Sequence, residues 1–134
     1  MQIVVISHGN LAKELVNSAG QIFGMQEDLE AINYSFDANP EYLKSKIESV
    51  IKKREKREKG EEILFLIDLF GGTPFNIASE YALSDETIGL LTGVNLPILL
   101  GAIGGKNQPL AELLEQLYHG GQESIRKLQL AKHS

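Results

Sequence analysis

Apolar residues fall along this chain in two rhythms. Short unbroken runs alternate with longer stretches at helical spacing. Ile3-Val4-Val5-Ile6 is a fully apolar run and predicts a strand over 3–6. Leu11, Leu15, Val16, Ala19, Ile22 and Phe23 then repeat every three or four residues, with Gly24 placed to end the helix they predict. Residues 29–34 predict a second strand. Asn39-Pro40 predicts a helix start, a capping side chain followed by proline at the first helical position. Leu43, Ile47, Val50 and Ile51 give that helix one apolar face, and Gly60 is its expected stop.

Ile63-Leu64-Phe65-Leu66-Ile67 is the strongest run. Five consecutive apolar residues predict a strand buried on both faces, as in a parallel sheet covered by helices. Thr73-Pro74 predicts a helix to about Leu83 by the same capping logic. Residues 87–92 predict a fourth strand. Asn95-Leu96-Pro97 opens a helix closed by Gly104-Gly105, and Pro109 opens another through Leu117. Gly120-Gly121 is expected to interrupt it, leaving residues 122–131 open between helix and strand. The order βαβαβαβα, with short connections and no repeat or linker, predicts one α/β domain over 1–134, doubly wound, with a mainly parallel sheet and helices on both faces.

The 134 residues hold no cysteine, which removes disulfides and thiol chemistry from consideration. The N-terminus shows neither a basic start nor an apolar stretch of leader length, and nothing approaches the roughly 20 apolar residues of a membrane span. A cytoplasmic protein is the expectation. A net charge of −5 argues against generic nucleic-acid binding. The basic run Lys52–Lys59 is interleaved with glutamate and reads as a solvated helix end, its cations placed favourably near the C-terminal dipole.

In doubly wound sheets, ligands sit beyond the carboxyl ends of the strands where the strand order reverses. The common flavodoxin-like order, 2-1-3-4, sets the loop after strand 1 beside the loop after strand 3. The first holds Ser7-His8-Gly9-Asn10 and the second Asp68-Leu69-Phe70-Gly71-Gly72-Thr73. A carboxylate that accepts one imidazole N–H fixes the tautomer and leaves the other nitrogen nucleophilic. His8 and Asp68 are therefore the candidate catalytic pair. Gly9, Asn10, Gly71, Gly72 and Thr73 are candidates to hold a phosphoryl group through backbone N–H groups and the Thr73 hydroxyl. The alternative for each is plain turn or capping chemistry. His119 and His133 lie where solvent exposure is expected.

Three segments carry a family resemblance: Val5-Ile6-Ser7-His8-Gly9, Phe65 to Asn76 with its Asp-x-x-Gly-Gly-x-Pro-x-Asn core, and Gly93-Val94-Asn95-Leu96-Pro97. Their order and spacing resemble the IIA component of mannose-family sugar phosphotransferase permeases, over nearly the whole chain. The resemblance implies that His8 is phosphorylated and that Asp68 orients it. The implied donor is the histidine-containing phosphocarrier protein. The implied acceptor is a IIB component that serves the membrane permease. A homodimer is implied too, with an antiparallel edge strand exchanged between subunits. The stretch after Gly121 would supply it, with Ile125, Leu128 and Leu130 as its apolar contacts. Some members continue through a linker into IIB. The present sequence carries none, so a separate acceptor is expected. Leu69 and Phe70 stand where some members have threonine and tryptophan, and are expected to meet the partners. No metal and no cofactor is implied.

Three other readings remain. One is the phosphotransfer subunit of a dihydroxyacetone kinase system, disfavoured by Gly71 to Asn76. Another is a receiver-like signalling domain phosphorylated on Asp68, disfavoured because the strand 1 loop lacks acidic magnesium ligands. The third is a flavin- or anion-binding domain, for which the strand 1 loop is too poor in serine and threonine.

Overall fold

The computed structural model describes residues 1–58, 60–129 and 131. Four strands and five helices follow in the order β1 (Gln2–His8), α1 (Leu11–Phe23), β2 (Leu29–Tyr34), α2 (Pro40–Arg57), β3 (Ile63–Ile67), α3 (Gly72–Ser84), β4 (Ile88–Thr92), α4 (Leu96–Gly105) and α5 (Leu110–Glu123). The sheet is parallel throughout, in the order β2-β1-β3-β4. This is the doubly wound, flavodoxin-like arrangement the pattern predicts.

The apolar runs explain the sheet's position. Every residue of β3, and Ile3 to Ile6 of β1, is completely shielded from solvent. Side chains alternate across a strand, so one run feeds two cores. Ile3, Val5, Leu64 and Leu66 pack under α1, α4 and α5. Val4, Ile6, Ile63, Phe65 and Ile67 pack under α2 and α3. The layers hold the two central strands rigidly, and both candidate loops leave from their carboxyl ends.

Two helix starts follow the capping rule. The Asn39 side chain accepts from Tyr42 N–H at 3.0 Å, and Asn95 accepts from Ile98 N–H at 2.9 Å. A cap of this kind contributes about 1 kcal/mol. The third start differs. Thr73 lies inside α3, whose cap position is Gly71, with no side-chain hydrogen bond. β1 also runs further than expected and includes His8, and α2 stops at Arg57, short of Gly60.

Gly120-Gly121 does not interrupt α5, which continues to Glu123. Close packing accounts for the glycine. A Cβ on Gly121 would lie 2.8 Å from Ile98 Cδ1 of α4, inside normal contact distance. Residues 125–129 form no regular element, and Ile125 and Leu128 are exposed. Leu130 and His133 lie outside the described residues.

The basic run is not all solvated. Arg54 is buried and donates to Glu61 O at 3.2 Å, Thr87 Oγ1 at 2.7 Å and Asp85 Oδ2 at 3.4 Å. This ties the end of α2 to the turn before β4. Hydrogen bonds from the Thr87 hydroxyl and backbone, and then the Arg54 guanidinium, hold the Asp85 carboxyl below its usual range. Asp85 thus stabilises the fold above the unfolded carboxylate pKa of about 3.9, and that contribution is lost as pH falls through the lower folded value. Asp85→Asn should cost about 1–2 kcal/mol at neutral pH. Its deficit in thermal midpoint against wild type should shrink at about pH 2. An equal deficit at both pH values would contradict this role.

Candidate functional site

The pairing of β1 with β3 runs from Gln2↔Ile63 to Ile6↔Ile67. The next residues out of the sheet are Ser7-His8 on one strand and Asp68 on the other. Asp68 N–H donates to Ile6 O at 3.2 Å, which continues the ladder one step. The Asp68 carboxylate then makes three short contacts. Oδ2 accepts from His8 N–H at 3.0 Å and lies 3.0 Å from His8 Nδ1, while Oδ1 accepts from Leu69 N–H at 3.0 Å. An ionised carboxylate only accepts, so Nδ1 is the protonated ring nitrogen and donates to it. The Asp68 side chain is 11% exposed and that of His8 45%. The acid is held in the protein, and the imidazole is presented to its surface. The Tyr34 ring supports the imidazole edge-on, with centroids 6.4 Å apart.

With Nδ1 engaged, Nε2 is the free nitrogen, and it faces the start of α3. A Cβ placed on Gly72 would sit 3.7 Å from Nε2 and 3.6 Å from Cε1. Gly71 and Gly72 both have left-handed backbone, φ 84° and 81°, which favours glycine here.

The two helix N-termini beside the histidine differ in their unused donors. In α1 three of the first four N–H groups are occupied, and only that of Leu11 has no partner among the described residues. Ser7 Oγ, fully buried, accepts from Ala12 N–H at 2.6 Å; Asn33 Oδ1 of β2 accepts from Lys13 N–H at 3.2 Å; Glu14 N–H reaches Asn10 O at 3.1 Å. Gly9 N–H donates to Tyr34 O at 3.0 Å. The Asn10 side chain makes no capping bond and accepts from Asn33 Nδ2 at 3.4 Å. In α3 the N–H groups of Gly71, Gly72 and Thr73 have no hydrogen-bond partner among the described residues. Of the five candidate anion-holding residues, Gly71, Gly72 and Thr73 therefore have donors to offer on the side Nε2 faces. Gly9 has spent its own.

Leu69 and Phe70 are exposed, and Phe70 stacks on Phe75 with ring centroids 4.7 Å apart. His119 is exposed and sits 3.5 Å from Glu115, one helical turn away from it on α5. The roles of Ser7 and Asn33 were missed in the sequence. Ser7 caps a helix from inside the preceding strand, across a turn. Asn33 reaches that helix from a different strand. Neither has a local signature.

Fold and pair together define a doubly wound α/β domain with an exposed histidine, oriented by a carboxylate, at its switch point. Residues 2–118 match the family described as PTS system fructose IIA component. The chain is 32% identical over 127 residues to the fructose-specific EIIA component of Bacillus subtilis (strain 168), covering 94% of this chain and 85% of that one. It is 31% identical over 128 residues to the mannose-specific EIIAB component of Escherichia coli (strain K12). That match covers 94% of this chain and 39% of the longer relative. Among solved structures, the mannose/sorbose-specific IIA subunit from Enterococcus faecalis superposes with a TM-score of 0.86 at 23% identity, over 99% of this chain and 98% of that one, and shares its fold. The chain belongs to the mannose-family IIA components of the sugar phosphotransferase system. No helix among the described residues is long and apolar enough to cross a membrane.

Proposed function

We propose that this chain is a cytoplasmic phosphocarrier, a single domain over 1–134 that takes a phosphoryl group onto Nε2 of His8 and passes it on during sugar uptake. The observation that carries this reading is the opposite engagement of the two ring nitrogens. Nδ1 is fixed by Asp68 at 3.0 Å, and Nε2 faces a helix N-terminus with unused N–H groups. Phosphoryl transfer asks a protein mainly for positioning and for support of the equatorial oxygens. Gly71, Gly72 and Thr73 supply that support, with the α3 dipole behind them.

The donor is the histidine-containing phosphocarrier protein. Its phosphorus–nitrogen bond breaks as the Nε2–phosphorus bond forms, and the donor imidazole leaves with the electron pair. His8 keeps its Nδ1 proton throughout, and the positive charge that develops on its ring is offset by Asp68. The reverse geometry serves a IIB component as acceptor. Leu69 and Phe70, exposed beside the site, meet both proteins. The chain works as a homodimer. Among the described residues no strand pairs with the outer edge of β4, and a cavity of about 240 Å³ beside it is lined by Leu91, Ile98, Leu117 and Ile125. Light scattering should give twice the chain mass of 14.8 kDa. A single mass would rule out the dimer.

The carrier role is tested by supplying phosphoenolpyruvate, enzyme I and the phosphocarrier protein and reading intact mass. Wild type should gain one acid-labile phosphoryl group and His8→Ala none. Asp68→Asn should fold and accept phosphoryl more slowly, by about tenfold or more. An adduct retained on His8→Ala, or none on wild type, would overturn the proposal.

A further inference from the structure

We infer that the turn between β2 and α2, through Phe36 at its tip, is a second arm of the surface on which the phosphoryl-exchanging protein docks, opposite Leu69 and Phe70. This rests on the carrier role proposed above. The sequence pattern gave Phe36 no part, because it belongs to no apolar face.

Phe36 is the most exposed large apolar side chain among the described residues, at 102% of its reference area. Its backbone is nonetheless well held. Ala38 N–H donates to Ser35 O at 3.0 Å, closing a tight turn with Phe36 and Asp37 at the tip. The buried Tyr34 anchors the base, its hydroxyl donating to Ala38 O at 3.2 Å. The phenyl group is thus presented by a fixed turn. Burying a side chain of this size is favourable, a gain left unclaimed in the free protein.

The turn stands at the reacting end of the sheet. Tyr34 is the register partner of His8, and its ring supports the imidazole. Phe36 follows two residues later. In the order β2-β1-β3, His8 ends the middle strand. Phe36 therefore lies past one flank, and Leu69 and Phe70 past the other. Neighbouring strands are about 4.8 Å apart, so the flanking strands sit roughly 10 Å from each other. That span suits the contact face of a small protein rather than a small-molecule pocket. Leu11, at the start of the helix that follows His8, is exposed as well. The patch is continuous with the face through which phosphoryl enters and leaves. Its occupant is a protein that presents its own phosphorylated histidine from an apolar surface.

The test separates docking from chemistry. Phe36→Ser should raise KM for the phosphorylated phosphocarrier protein about five- to twentyfold, with kcat nearly unchanged. Phe36→Leu should recover most of the loss. The rate at which phosphoramidate, a small donor that needs no docking, modifies His8 should be the same in all three proteins. An unchanged KM in Phe36→Ser would overturn the inference while leaving the carrier role intact. A fall in the phosphoramidate rate would overturn it too, because the turn would then act on the site itself. A wild-type protein that takes no phosphoryl from the protein donor would overturn the carrier role and this inference together.

Discussion

The pairing of β1 with β3 is the constraint on which the site depends. His8 and Asp68 are 60 residues apart in sequence, and the sheet makes their strand ends adjacent. One carboxylate then bonds both the backbone and the ring of the histidine opposite. The buried apolar runs matter for this reason. Shielded on both faces by two layers of helix, β1 and β3 cannot slip in register without moving every core side chain to the wrong face. Rigidity in the sheet becomes fixed geometry at the imidazole.

A second consequence concerns hydrogen-bond donors. Two helices begin beside His8, and both are potential anion sites by dipole and by free N–H groups. The protein engages two donors of one with its own side chains, Ser7 and Asn33, and leaves the other uncapped, with glycines where a capping side chain would stand. The open terminus is the one Nε2 faces. A cap on α3 would contribute about 1 kcal/mol of stability. Its absence fits a fold that keeps those donors for a ligand.

Much of the fold was legible from short-range pattern. The Ile63–Ile67 run, the Asn39-Pro40 and Asn95 starts, and the strand spacing carry local physics, and the structure follows them. The departures occur where distant packing decides. Gly120-Gly121 looks like a helix break, yet α5 passes through because Gly121 is where α4 comes close. Arg54 looks like part of a solvated charge run, but its partners Asp85 and Thr87 lie 31 and 33 residues on. At the site, His8 and Asp68 were visible as strand ends under an assumed strand order. The division of labour between the two helix starts was not, because it depends on a buried serine and on an asparagine from a third element.

The proposed carrier role requires Asp68 to hold the Nδ1 proton of His8 and so direct phosphoryl to Nε2. The most direct measurement is the ¹⁵N–¹H correlation spectrum of the His8 ring before and after phosphorylation. The expected spectrum shows a protonated Nδ1 in the free protein, and after phosphorylation a phosphorus coupling at Nε2 with the Nδ1 proton retained. A phosphoryl group on Nδ1, or a free ring protonated at Nε2 alone, would contradict it.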